Sequence, residues 1–106
     1  MAEKTIMLVC SAGMSTSLLV TKMQAASKAR NLDTEIFAVS AAAADENIAN
    51  KKIDVLLLGP QVRFMKGQFE KKLADKNIPL EIIDMLDYGR MNGENVLDQA
   101  LKLIKE

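Results

Sequence analysis

Between Ile53 and Leu58 the chain reads Ile-Asp-Val-Leu-Leu-Leu, a nearly continuous apolar run of strand length. Such a run leaves no face for water, so it predicts a central strand of a parallel sheet with helices on both sides. Ile6-Met7-Leu8-Val9, Glu35 to Ser40 and Leu80-Glu81-Ile82-Ile83, the last opened by Pro79, read as three further strands. The intervening segments carry a helical period. Ser17 to Ala29 places Leu18, Leu19, Val20, Met23 and Ala26 at mostly helical spacing and leaves Lys22 and Lys28 for solvent. Ala41 to Ile48 predicts a short helix capped by Ser40. Val62, Met65, Phe69 and Leu73 share one helical face despite Gly67, and Val96, Leu97, Ala100, Leu101 and Ile104 define a last helix after a polar segment from Asp84 to Gly93.

Strand and helix alternating four times predict an α/β fold of one domain, residues 1–106, with a four-stranded parallel sheet of order 2-1-3-4 and helices on both faces, as in flavodoxin-like proteins. In such sheets ligands bind beyond the carboxyl ends of the strands where the order reverses, here beside the first strand. Cys10, the only cysteine, lies at that end. Gly59-Pro60-Gln61 and the Asp84 to Gly93 segment come to the same edge, so three loops are expected to converge on one thiol.

The thiol is followed by Ser11-Ala12-Gly13-Met14-Ser15-Thr16-Ser17 and then the first helix. Backbone N–H groups turned inward around Gly13, a helix N-terminus and four hydroxyls suit a bound dianion and favour a nucleophilic sulfur. The plainer alternative is a small buried hydrophobe next to serines that cap a helix. The chain has no histidine, which excludes a Cys–His dyad, a histidine base and histidine metal ligands. A single cysteine excludes dithiol redox chemistry, no lysine stands at the Walker spacing after Gly13, and neither a metal site nor a cofactor is expected. Fourteen basic residues balance fourteen acidic ones, so there is no basic stripe for nucleic acid or an anionic membrane. No long apolar stretch precedes Cys10, so neither a secretory signal nor direct membrane insertion is expected. The expected location is the cytoplasm, where a lone thiol stays reduced.

The loop resembles the phosphate loop of low-molecular-weight protein tyrosine phosphatases and arsenate reductases, in which a cysteine, five residues and an arginine surround the anion. Here Thr16 stands at the arginine position. Without a guanidinium the loop is better fitted to hold a phosphocysteine than to hydrolyse one. VCSAGMSTSLLV, LLLGPQV and DYGRMNG, in this order, resemble the IIB components of the sugar phosphotransferase system, lactose/cellobiose (N,N'-diacetylchitobiose) class, over essentially the whole chain.

That resemblance implies that Cys10 accepts a phosphoryl group from phosphohistidine on a IIA protein. It then passes the group to a sugar, such as cellobiose or chitobiose, held by the membrane permease IIC, with which the chain associates transiently. It also implies that Ser11, Ala12, Gly13, Met14, Ser15, Thr16 and Ser17 form the phosphoryl-binding loop, with Tyr88 a neighbouring functional candidate. The family often has Asp-Gly where this chain has Asn92-Gly93, so a catalytic carboxylate there is unsupported. Gln61 is either part of a strand-ending turn or a group that bonds a phosphoryl oxygen. Tyr88 is either a phenol packed on the loop or a participant. Asp84 and Asp87 are read as loop or cap residues, because they would repel a dianion. Met14 is expected to face outward, toward alternating partners. The competing readings are a small cysteine-dependent phosphatase and a non-catalytic anion-sensing domain.

Overall fold

The computed structural model describes residues 4–10 and 14–104, the side chains of Met14 and Ser15 excepted. Four strands, β1 (Lys4–Cys10), β2 (Thr34–Ser40), β3 (Val55–Leu58) and β4 (Leu80–Ile82), form one sheet in the order β2-β1-β3-β4. All three pairings are parallel, with Cys10 level with Ser40, Val9 with Leu58, and Leu58 with Ile82. The expected order 2-1-3-4 is therefore the observed one, and the strands end together at one edge. The helices are α1 (Met14–Ala29), α2 (Ala41–Asn50), α3 (Lys66–Leu73), α4 (Met85–Gly89) and α5 (Gly93–Leu103), with a 3₁₀ segment, Pro60–Met65, ahead of α3.

Alternation along the central strands divides the core into two halves. Ile6, Leu8, Val55 and Leu57 pack with Leu19, Val20 and Met23 of α1 and Val96, Leu97 and Ala100 of α5. Met7, Val9, Leu56 and Leu58 pack on the other face with Ala44 and Ile48 of α2, Val62, and Phe69 and Leu73 of α3. β3 is buried at every position, which explains its unbroken apolar run.

The structure departs from the expected elements at four places. Helix α1 begins at Met14 rather than Ser17, so Met14, Ser15, Thr16 and Ser17 form its first turn. The first four N–H groups of a helix lack intrahelical partners, so this turn still carries donors. The polar segment after β4 contains α4, started by the Asp84 side chain, which accepts from the Leu86 and Asp87 amides. The helix expected from Val62 onward opens as 3₁₀, with Pro60 at its start and Val62 departing from helical geometry. Ser40 does occupy the N-cap of α2, but its side chain makes no capping bond.

At the last helix, Asn92 accepts from the Asn95 amide as N-cap of α5. A Cβ on the next residue, Gly93, would lie 2.5 Å from the Lys22 carbonyl carbon and 2.7 Å from the Met23 nitrogen. The Asn-Gly pair thus starts α5 and lets it pass close to α1, and an aspartate would cap equally well.

Candidate functional site

Strand β1 carries Cys10 to the carboxyl edge with its side chain 1 % exposed. Its Sγ lies 3.9 Å from the Val39 carbonyl oxygen, within reach of a weak S–H···O contact. A thiolate has no hydrogen to donate in that contact. On the β3 side the chain continues beside the thiol as Gly59, the residue after Leu58. The Gly59 amide donates to the Val9 carbonyl at 2.8 Å, and a Cβ on Gly59 would stand 3.6 Å from Cys10 Cβ, 3.4 Å from the Val9 oxygen and 2.7 Å from Gln61 Oε1. Gly59 has φ of −63°, so space rather than backbone conformation calls for glycine here.

Gln61 turns back over Gly59 and donates through Nε2 to the Tyr88 hydroxyl at 2.7 Å. The same hydroxyl shares a 3.1 Å hydrogen bond with Thr16 Oγ1. Thr16 is 1 % exposed, Tyr88 is half-buried and Gln61 is exposed. One phenol thereby ties the first turn of α1, the segment after β3 and the helix after β4. Of the two readings of Gln61 and Tyr88, the structure shows them joined to each other at this edge.

The other expected site residues divide plainly. Ser11, Ala12 and Gly13 lie outside the described residues, as do the side chains of Met14 and Ser15. Ser17 is exposed on the first turn of α1, where its carbonyl accepts from Thr21 Oγ1. Asp84 is engaged in capping, and Asp87 accepts from the Asn95 side chain at 3.0 Å, so both carboxylates serve the start of α4 and α5. A broad groove of about 1010 Å³ lies at the opposite edge, lined in part by Ile53, Asp54, Lys76 and Pro79, at the amino ends of β3 and β4. It is remote from the thiol.

Sequence reading missed the apolar rim. Leu18, Phe64, Met85 and Leu86 are 51, 78, 60 and 67 % exposed, and each lies within three residues along the chain of Thr16, Gln61 or Tyr88. Helical spacing had placed Leu18 in the core. Gly59 was also overlooked as a spacing residue, although its position directly after β3 was a usable signal.

Residues 5–99 match the family model described as "PTS system, Lactose/Cellobiose specific IIB subunit". The chain belongs to the lactose/cellobiose-specific IIB family of the phosphotransferase system. This IIB chain is 52 % identical to the galactose-specific EIIB component of Lactococcus lactis subsp. cremoris, over 98 % of this chain and 99 % of that protein. It is equally, 52 %, identical to the cellobiose-specific EIIB component of Lactococcus lactis subsp. lactis, over the same shares. The oligo-beta-mannoside-specific EIIB component of Bacillus subtilis is 44 % identical over 95 % of this chain and 96 % of its own length. Among solved structures, the cellobiose-specific IIB component of Borrelia burgdorferi superposes with a TM-score of 0.77 at 42 % identity, covering 95 % of the IIB chain and 91 % of the other. The lactose-specific IIB domain of Streptococcus pneumoniae gives 0.86 at 13 % identity, covering 97 % and 99 %, a likeness of fold. No helix of the described residues is long and apolar enough to cross a membrane.

Proposed function

We propose that this IIB chain is a cytoplasmic phosphoryl carrier whose Cys10 takes the group from a phosphohistidine of a IIA partner and delivers it to a sugar hydroxyl at a IIC permease. The observation that carries the reading is Cys10 at the end of a central strand, among three loop ends at the order reversal, in a chain of this family. In the first step the Cys10 thiol loses its proton, the thiolate attacks phosphorus, the S–P bond forms, and the P–N bond breaks with its electrons returning to the partner's imidazole, which leaves as neutral histidine. In the second the sugar oxygen attacks phosphorus, the hydroxyl proton is released, and the thiolate leaves. Amides of the loop and of the first turn of α1, with the Thr16 hydroxyl, neutralise the group in transit.

With a threonine where a phosphatase loop has arginine, transfer to a docked acceptor is favoured over hydrolysis. The names of two relatives, specific for cellobiose and for oligo-beta-mannosides, support a β-linked sugar such as a disaccharide, while a third is named for galactose. Equal identity to galactose- and cellobiose-specific proteins fits a sugar chosen at IIC rather than here.

Intact-mass spectrometry after incubation with phosphoenolpyruvate, the general phosphotransfer proteins and a cellobiose-type IIA tests the proposal. One added phosphoryl group is expected, dependent on IIA and absent from Cys10→Ser. An adduct retained in Cys10→Ser, or none formed from a IIA verified as phosphorylated, refutes it.

A further inference from the structure

We infer that the outer edge of β2 is a strand-pairing surface for a second copy of this chain, and that Gln24 holds it closed.

The sheet ends in two open edges, β2 and β4. In a parallel sheet alternate residues of a strand direct their N–H and C=O groups to opposite sides. The Lys4 amide donates to the Asp33 carbonyl at 3.2 Å, and the Asp54 amide donates to the Thr5 carbonyl at 2.9 Å. Even-numbered residues of β1 therefore face β2 and odd-numbered ones face β3. With Ile6 level with Ile36, the backbone groups of Glu35, Phe37 and Val39 bond β1, and those of Thr34, Ile36, Ala38 and Ser40 point outward.

A glutamine side chain meets each edge. Gln99 of α5 donates through Nε2 to the Ile82 carbonyl at 2.9 Å and accepts through Oε1 from the Asp84 amide at 3.2 Å. One amide that bonds the carbonyl of a residue and the N–H two positions on reproduces a peptide unit of the next parallel strand. Gln99 thus stands where a fifth strand would pair. Gln24 of α1 does half of this on β2, where its Nε2 donates to the outward Ile36 carbonyl at 2.8 Å. A carbonyl oxygen only accepts, so chemistry sets the direction of both contacts.

The two edges differ in what remains open. β4 has three residues and follows Pro79, and so short an edge is already blunted. β2 has seven, and its outward Ala38 amide and carbonyl have no partner among the described residues. A second copy related by a two-fold axis offers the same outward row in antiparallel order, which is what such an edge pairs with. Charge does not keep copies apart, because the chain is neutral overall and Glu35 on this strand is matched by Lys51 at 2.7 Å. The obstacle is the Gln24 side chain, which fills the place of an incoming strand at Ile36. A copy laid along β2 would extend to Ser40, level with Cys10, so the guard also keeps the thiol end of the sheet clear.

The test is sedimentation velocity of the wild-type chain, Gln24→Ala and Gln24→Lys over a range of concentrations, with amide hydrogen exchange of the same samples followed by NMR. Gln24 is exposed on a helix, where alanine is the best helix former, so Gln24→Ala keeps the fold. The wild-type chain is expected to sediment as a monomer whose Ala38 amide exchanges fast. Gln24→Ala should self-associate about ten- to a hundredfold more strongly, because by symmetry two carbonyls gain a strand partner, and its Ala38 amide should become protected as the dimer forms. Gln24→Lys, whose ammonium donates to the same carbonyl and brings a charge to the edge, stays monomeric. A wild-type dimer, a Gln24→Ala chain that associates no more than wild type, or a Gln24→Ala dimer without protection at Ala38 overturns the inference.

Discussion

Replacing Gly93 by alanine probes the contact that sets α1 against α5. The added Cβ would lie 2.5 Å from the Lys22 carbonyl carbon, where ordinary contact begins near 3.4 Å, so nearly an ångström of separation is required. The obstacles include backbone atoms of α1, which no rotamer change removes. Overpacking of this kind costs about 1–3 kcal/mol, and the better helix propensity of alanine returns less than about 1 kcal/mol at the first helical position. A net loss of about 1–2 kcal/mol corresponds to a fall in Tm of roughly 5–15 °C for a domain of this size. Urea and thermal unfolding followed by circular dichroism measure it. Transfer from IIA should slow as well, because α1 carries Thr16 on its first turn. An unchanged midpoint in both experiments would refute the reasoning, since it would mean that α1 and α5 part without cost.

Two more substitutions test the electrostatics and the rim. Arg30 and Asp98 form a 2.6 Å ion pair between the end of α1 and α5, which holds the Asp98 carboxyl below and the Arg30 guanidinium above their ordinary values. A depressed carboxyl contributes stability above its unfolded pKa and loses it as the pH falls through its folded value. Asp98→Asn should therefore differ little from wild type at neutral pH, the pair being exposed, and should lose less stability on acidification below the usual carboxylate range. Parallel urea midpoints from pH 7 to 3 would contradict this. Phe64→Ser removes the most exposed large apolar side chain of the rim and should leave stability within about 0.5 kcal/mol. It should raise the IIA concentration needed for half-maximal transfer, and an unaltered concentration dependence would exclude Phe64 from docking.

The fold was legible because burial and periodicity agree in this chain. Val55 to Leu58 can exist only between two helical layers, and the remaining strands and their order follow from the alternation. The misreadings occur where a helix begins without a hydrophobic period. Asp84 caps a helix of five residues too short to show one, and α1 begins at Met14, ahead of its first apolar repeat. Leu18 was misassigned because it neighbours buried Leu19 on a helix whose apolar spacing is only approximate, so its own position on the exposed side was not separated from the core positions. Within the site, the position of Cys10 was readable from the end of an apolar run, and Gln61 and Tyr88 were readable as neighbours. Their bond to each other was not, because the two are 27 positions apart and the segment between them carries no pattern that brings an amide to a phenol. Asn92-Gly93 shows the converse: a short motif that resembles a chemical signature is accounted for by a helix cap and a close helix crossing.

Tyr88 is the only tyrosine in a chain that has no tryptophan. Ultraviolet emission from the protein therefore originates almost entirely from a phenol whose hydroxyl is bonded to Thr16 and Gln61, at the carboxyl edge of the sheet. If Cys10 carries the phosphoryl group as proposed, the molecule holds its own optical reporter beside it. Arrival and departure of the group could then be followed by stopped flow without a label, against a background that contains no other strong fluorophore.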